Sequence, residues 1–399
     1  MDGVSLQAGV VKRVTHLADG RELIYFDDPD TSLPTDRRAD LRELRDRPPT
    51  AQMRQDVLTG DWITFATARQ NRAFMPPAHQ DPLAPQTPSN PSEIPSAYDV
   101  AVFENKTPAF GPALELDEVP HPASSIHPLF RERPSAGRCE VVCFSPEHEG
   151  SFASLTPTRA RTVIEAWADR TGALSDIADV EQVFIFENRG AEIGVTLPHP
   201  HGQIYAYPYV TPRTQGLLRS LDREGPDLFE RVVKAESQGP RVVLDTEHWL
   251  AFVPFAARWP LEVHMLPKRH VPDFAATSSA ERDDLADNYL RLLNAVDRLY
   301  DTPTPYIAAW HQAPTRTARA TARLHLQLTS PRRAVDKLKY LAGSEAAMHA
   351  WVADIAPEES AERLRTALPS AAPKGSRVGG CLRTALASAA IASGEKSVE

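Results

Sequence analysis

Two imidazoles one residue apart stand between prolines in His199-Pro200-His201-Gly202-Gln203, at the centre of the run GVTLPHPHGQIYAYPYV. Imidazole ionises with a pKa of about 6.5, so at pH 7 most of it is neutral, and a ring nitrogen can attack phosphorus without first shedding a proton. In an extended segment residues two apart share a face, and the ring of Pro200 stiffens the backbone between the histidines. Both rings can therefore meet one ligand or one metal. Gln203 continues that face with an amide donor, and one donor aimed at a phosphoryl oxygen can be worth about 100-fold or more in rate. Gly202 leaves room for close approach. A pair of histidines on a half-buried strand is the plainer reading of any His-x-His, and the flanking residues decide against it here.

Those flanks begin with Val183-Phe184-Ile185-Phe186-Glu187-Asn188-Arg189-Gly190, an apolar strand that ends in a polar, glycine-containing turn. Strand, turn and second strand bring Asn188 near His201. The whole run, FENRGAEIGVTLPHPHGQIYA, resembles the galactose-1-phosphate uridylyltransferases of the histidine-triad superfamily, whose pattern is FENKGxxxGxSxPHPHxQ. The likeness extends from about Leu58 to Arg365. Its further landmarks are LTGDWITFATARQNR, VFENK, EVVCFSPEH, TEHWLAFVPFAARWPLEVHMLPKRH, PYIAAWHQAP and KYLAGSE.

By that resemblance His201 takes the uridylyl group as a covalent intermediate. His199 is a metal ligand or an orienting neighbour through its backbone carbonyl, and Gln203 holds the transferred phosphoryl group. Asn188, Gly194, Val195 and Thr196 line the nucleotide phosphate site, with Phe103 and Asn105 against uracil and ribose. Arg69 and Arg72 match a pair supplied by the neighbouring subunit, which implies a homodimer. Lys339, Gly343 and Glu345 match the stretch that handles the hexose phosphate. The implied reaction is a ping-pong exchange: UDP-glucose uridylylates His201 and releases glucose 1-phosphate, and galactose 1-phosphate then collects the group as UDP-galactose.

Metals are where the chain departs from its relatives. Many carry Cys-x-x-Cys as two zinc ligands, where this chain has Asp81 and Ala84. His148 and His199 match the other two ligands. The resemblance thus leaves a zinc site of His148, His199, Asp81 and a water, since zinc accepts nitrogen and carboxylate oxygen in tetrahedral geometry; its role would be structural. A second metal site of some relatives uses a glutamate and three histidines. His311 and His325 persist, Gln327 and Leu217 fall at the other positions, and that site is expected to be empty. No organic cofactor is implied.

The elements that must position these residues occur twice. The first half reads strand, Pro146 and His148, helix from Pro157 to Leu174, strand from Val183 to Phe186, then His199 and His201. The second reads strand, Pro267 and His270, helix from Ala280 to Tyr300, strand from Tyr306 to Trp310, then His325 and Gln327. This is one unit repeated. The helices carry apolar residues at helical spacing, such as Ala160, Val163, Trp167 and Leu174, and each is expected to cover one face of a sheet. Leu324-His325-Leu326-Gln327-Leu328 alternates strictly, with glutamine read in place of the second histidine, so one active copy per chain is expected. The fold class is α/β (α+β): duplicated histidine-triad-like units whose antiparallel sheets, with flanking helices, join into one long structure. The organisation is a lead-in (1–50, with a hairpin at Asp19-Gly20), an N-terminal domain bearing the active site (51–212), a C-terminal domain with the hexose-phosphate contacts (213–367) and a flexible tail (368–399). Residues 76–95, rich in proline, read as an ordered loop laid over the surface or an extended arm.

Composition fits a soluble enzyme of the cell interior. With 399 residues and 42% apolar content the chain can bury a large core. No run of about 18 apolar residues occurs, and no signal-peptide pattern opens the chain, which disfavours secretion and membrane insertion. Cys139, Cys143 and Cys381 lack metal spacing, and a reducing, cytoplasmic setting is expected. The net charge of −9 argues against a nucleic-acid partner, so anionic substrates need a local cluster, for which Arg69, Arg72, Arg189 and Lys339 are the candidates. Two other readings stay open. Sugar-nucleotide or dinucleotide phosphorylases and hydrolases share the His-Pro-His-x-Gln chemistry, and a non-catalytic nucleotide-binding protein would tolerate missing metal ligands.

Overall fold

A computed structural model describes residues 2–44, 52–66, 75–111 and 127–370. Met1–Pro369 form one compact unit. Cys381 and nearly all of the tail lie outside the described residues, as do Arg69 and Arg72.

In chain order the N-terminal elements are β1 (Val4–Ser5), β2 (Val11–His16), β3 (Glu22–Asp27), β4 (Gln52–Gln55), β5 (Trp62–Phe65), β6 (Val100–Glu104), β7 (Glu132–Pro134), β8 (Arg138–Cys143), α1 (Pro157–Ser175), β9 (Gln182–Arg189) and β10 (His201–Tyr207). There follow α2 (Pro212–Glu224), α3 (Leu228–Glu236), β11 (Val242–Asp245), β12 (Trp249–Phe252), β13 (Leu261–Pro267), α4 (Ser279–Asp297), β14 (Tyr306–His311), β15 (His325–Ser330), β16 (Arg332–Ala334), β17 (Lys337–Leu338) and α5 (Pro357–Ala367). Twelve strands make one sheet in the order β1-β2-β3-β6-β8-β10-β9-β14-β15-β13-β12-β11. The two expected antiparallel sheets are thus continuous, because β9 and β14 pair directly. The lead-in is part of this sheet: β2 and β3 form the hairpin, with Gly20 at φ 80° in its turn, and β3 pairs β6.

Helices α1 and α4 start where local chemistry permits. Thr156 accepts the Arg159 amide ahead of Pro157, and Ser278 forms a reciprocal capping box with Glu281. Both helices bury their apolar stripes on one face of the sheet. Trp167 of α1 and Tyr289 of α4 meet Phe152, Phe274 and Trp310 in an aromatic cluster with centroid separations of 4.8–6.4 Å. Each such side chain, fully buried, contributes about 1.5–3 kcal/mol relative to exposure.

The opposite face carries the polar chemistry. Side chains directly opposite each other on paired strands share a face. A row therefore runs across six strand boundaries: Phe103, Val141, Gln203, Phe186, Ala309, Gln327 and His264. In the second half α2 and α3 lie over this face, with Leu221 and Phe229 packed on Leu250, Phe252 and Leu266. In the first half the segment 76–97 contributes buried Asp81, Leu83 and Ile94, so the proline-rich loop is ordered cover.

Candidate active site

His201 opens β10, and its Nδ1 lies 2.7 Å from the backbone carbonyl of His199. A carbonyl oxygen can only accept, so Nδ1 carries the proton and Nε2 keeps its lone pair. Burial pushes the His201 pKa below its ordinary value, outweighing the carbonyl that favours protonation. The ring is thus held neutral, in the tautomer that leaves Nε2 available as a nucleophile. Asn188 occupies the same face two residues beyond Phe186, as His201 stands two residues before Gln203, which places the pair side by side.

Two cavities share the His201 ring. One, of about 240 Å³, is walled by Phe103, Asn105, Val141, Thr196 and Gln203. The other, of about 510 Å³, is walled by Asn188, Arg189, Val195, the turn Glu149–Ser151 and α4 residues Asn294 and Asp297. Phe103, Asn105, Asn188, Val195, Thr196, His199, His201 and Gln203 are therefore brought together as the sequence implied. Gly194 is not in either wall; at φ 85° it turns the chain between them. Arg189 reaches the larger cavity but pairs with Asp297 and covers the Tyr306 ring at 5.6 Å.

Lys339, Gly343 and Glu345 gather elsewhere. Lys339 is buried, with Nζ 3.3 Å from Glu345 and 3.1 Å from the Arg258 carbonyl, beside a separate cavity of about 170 Å³ lined by Trp259 and Tyr340. Gly343 opens a short π-helical turn, Gly343–Ala347. Within one chain this cluster does not border the His201 cavities.

Behind the nucleophile, Asp81, His148 and His199 also converge. Asp81 Oδ2 stands 2.8 Å from His148 Nδ1 and 2.7 Å from His199 Nδ1. His199 Nε2 lies 2.8 Å from the Ser145 carbonyl and 3.0 Å from the Tyr98 hydroxyl. Burial raises the Asp81 pKa, and the hydrogen bonds from His199 and His148 outweigh it and hold the carboxyl below the usual range.

Sequence reasoning missed two residues here. Tyr98, 1% exposed, donates towards the Leu83 and Ser145 carbonyls and ties the covering loop to the His199 ring. Its signal was weak, a lone tyrosine in a proline-rich stretch. Glu187 was read as one residue of an apolar strand. It is buried on the helix side of β9, where burial pushes its pKa up to about 7.

The second copy is paired differently from the sequence reading. Gln203 faces Phe186, Gln327 faces Ala309, and Phe186 and Ala309 face each other across the β9–β14 seam. Symmetry about that seam puts Gln327 in the place of Gln203 and His325 in the place of His201. The hydrogen bonds agree: His325 Nδ1 lies 2.8 Å from the carbonyl of Arg323, two residues earlier, as His201 does from His199. What the second copy replaces is the first histidine, by Arg323. His325 is stacked against His311 at 4.9 Å and covered by Phe229 at 5.6 Å.

With this geometry in view, comparison with known proteins is decisive. Residues 41–211 match the model of the galactose-1-phosphate uridyl transferase N-terminal domain, and residues 218–374 that of the C-terminal domain. The chain belongs to the galactose-1-phosphate uridylyltransferase family. A galactose-1-phosphate uridylyltransferase of Streptomyces lividans is 44% identical over 370 residues, covering 89% of this chain and 97% of the relative. That of Thermotoga maritima is 36% identical, covering 79% and 98%. A solved uridylyltransferase structure superposes with a TM-score of 0.70 at 31% identity, covering 79% of this chain and 98% of that one. An ADP-glucose phosphorylase from Arabidopsis thaliana, at 22% identity and a TM-score of 0.56, shares the fold.

Proposed function

We propose that this enzyme moves a uridylyl group between hexose 1-phosphates through His201. The observation that carries the reading is His201, which lines two cavities and whose Nδ1 is fixed on the His199 carbonyl, leaving the lone pair on Nε2. Nε2 attacks the α-phosphorus of UDP-glucose; the N–P bond forms as the bond to glucose 1-phosphate breaks, and glucose 1-phosphate leaves as the anion. The positive charge that develops on the ring is met by the His199 carbonyl, and Gln203 donates to a phosphoryl oxygen. Galactose 1-phosphate then attacks from the vacated side, breaking the N–P bond and leaving as UDP-galactose. Phe103 and Asn105 suit the base and ribose, and Asn188, Val195 and Thr196 the phosphates, with Gly194 shaping the turn between them.

The proposal includes a homodimer. Its support is the family likeness, the match of Arg69 and Arg72 to a pair given across subunits, and the absence of Lys339 and Glu345 from the walls of their own chain's His201 cavities. A cytoplasmic setting is in keeping with buried Cys139 and Cys143. No helix among the described residues is long and apolar enough to cross a membrane.

The test is intact-protein mass after brief mixing with UDP-glucose alone, beside a His201→Ala control. One uridylyl group should add to the native chain and not to the variant, and galactose 1-phosphate should discharge it. Discharge by inorganic phosphate or water instead would move the chain to phosphorylase or hydrolase chemistry. The absence of any adduct would refute the covalent mechanism and favour a nucleotide-binding role.

A further inference from the structure

Zinc, which the family pattern brings to His148 and His199, does not fit the residues this chain places there. Around a tetrahedral zinc with bonds of about 2.0 Å, neighbouring donor atoms stand about 3.3 Å apart. Asp81 Oδ2 is 2.8 Å and 2.7 Å from the two Nδ1 atoms, which are hydrogen-bond lengths. The oxygen itself occupies the point at which both rings aim. A metal would take the lone pair at each Nδ1, whereas a carboxylate acceptor requires a proton there. Ala84 adds a methyl group and no lone pair. Among the described residues, no three His, Cys, Asp or Glu side chains are placed to hold a metal ion.

We infer that Asp81 bolts His148 to His199 by hydrogen bonds alone, and that this bolt positions the His199 carbonyl against the nucleophilic ring. Asp81 is 1% exposed and His199 2%. Both oxygens of the carboxylate are engaged, because its Oδ1 also takes the Leu83 amide at 2.9 Å. A buried polar cluster satisfied in this way has one geometry. His199 is clamped at both ends, by Asp81 at Nδ1 and by Ser145 and Tyr98 at Nε2. Its backbone carbonyl, fixed with it, is the acceptor that sets the His201 tautomer. Asp81 thus acts through His199 and touches neither substrate nor reacting atoms; it is a positioning residue. Its effect on His201 rests on the transferase reading above, whereas the metal-free linkage does not.

The experiment uses the full-length protein, purified without added metal and after incubation with zinc sulfate followed by desalting. Metal analysis should find far less than one zinc per chain in both, and a strong chelator should leave Tm and kcat unchanged. Asp81→Asn keeps the size but puts a donor where an acceptor is needed. It should lower Tm by about 5 °C or more and reduce kcat about tenfold, with KM for UDP-glucose unchanged. One zinc per chain whose removal lowers Tm would overturn the inference, as would an Asn variant with native Tm and kcat. If the variant fails to fold, the metal content and chelator response of the native chain still decide. Loss of Tm in the variant of a chain that forms no uridylyl adduct would uphold the bolt and reject the transferase reading.

Discussion

At the scale of single residues, the protonation of His201 sets when the enzyme can work. Its proton sits on Nδ1 against the His199 carbonyl, so acid inactivates the site by loading Nε2. Burial lowers the pKa, which moves that loss to more acidic pH. The rate of uridylyl-adduct formation should therefore stay level through pH 6.5 and fall tenfold per pH unit only below it. Rapid-quench mass measurements from pH 5 to 8 give the profile, and a midpoint at or above 6.5 would contradict a desolvated neutral nucleophile. His201 and Gln203 were legible in the sequence because strand alternation puts them on one face of β10, and His199, which precedes that strand, was legible from its place in the His-Pro-His run. Asp81 was legible as a replacement for a metal-binding cysteine, and its role as an acceptor for two imidazoles was not. That role depends on distances between segments 67 and 118 residues apart, which no local pattern encodes.

Elements bring the next level of control, and β9 shows it most clearly. Its two faces differ: Asn188 lines the larger His201 cavity from the open face of the sheet, and Glu187 is buried on the helix side, where it borders the same cavity. Glu187 accepts a long hydrogen bond of 3.4 Å from the Phe152 amide, and burial pushes its pKa up to about 7. In the unfolded chain it ionises near 4.5, so between pH 4.5 and 7 the folded state keeps a proton that the unfolded state has lost. This contribution to stability is complete below 4.5 and is lost as the pH rises to 7, amounting to about 3 kcal/mol. Glu187→Gln should match the native chain in urea at pH 4.5 and exceed it increasingly up to pH 8. Parallel curves across that range would remove the assignment. Helices α1 and α4 were read nearly in place, since they end at Ser175 and Asp297, one and three residues from the expected ends, whereas α2, α3 and α5 were not read. Register was the failure. Alternation tells which face a residue takes, but sliding a strand by two leaves that face unchanged. The sequence therefore allowed His325 to stand for His199, and only the paired seam of β9 and β14 gave it the place equivalent to His201.

For the whole molecule, duplication has produced one long sheet with two unlike halves. In the second half Phe229 and the α2–α3 pair cover the face that the first half leaves open around His201. The repeat and the joining of its two sheets were readable from the order of strands, helices and histidines, whereas the strands that make the join, β9 and β14, were not, because edge pairing between copies leaves no periodic mark. One consequence belongs to the assembly alone. If Arg69 and Arg72 serve the site of the neighbouring subunit in a two-fold dimer, a chain lacking His201 can still lend its arginines, and a chain lacking the arginines can still lend its histidine. His201→Ala and Arg69→Ala/Arg72→Ala should each be nearly inactive as homodimers. Unfolded together, refolded and allowed to pair at random, half of the dimers are mixed, and each mixed dimer has one complete site. Activity should return to roughly a quarter of the native value. Both failing together, with mixed dimers demonstrated by a tag on one partner, would place the arginines in their own chain's site or in none.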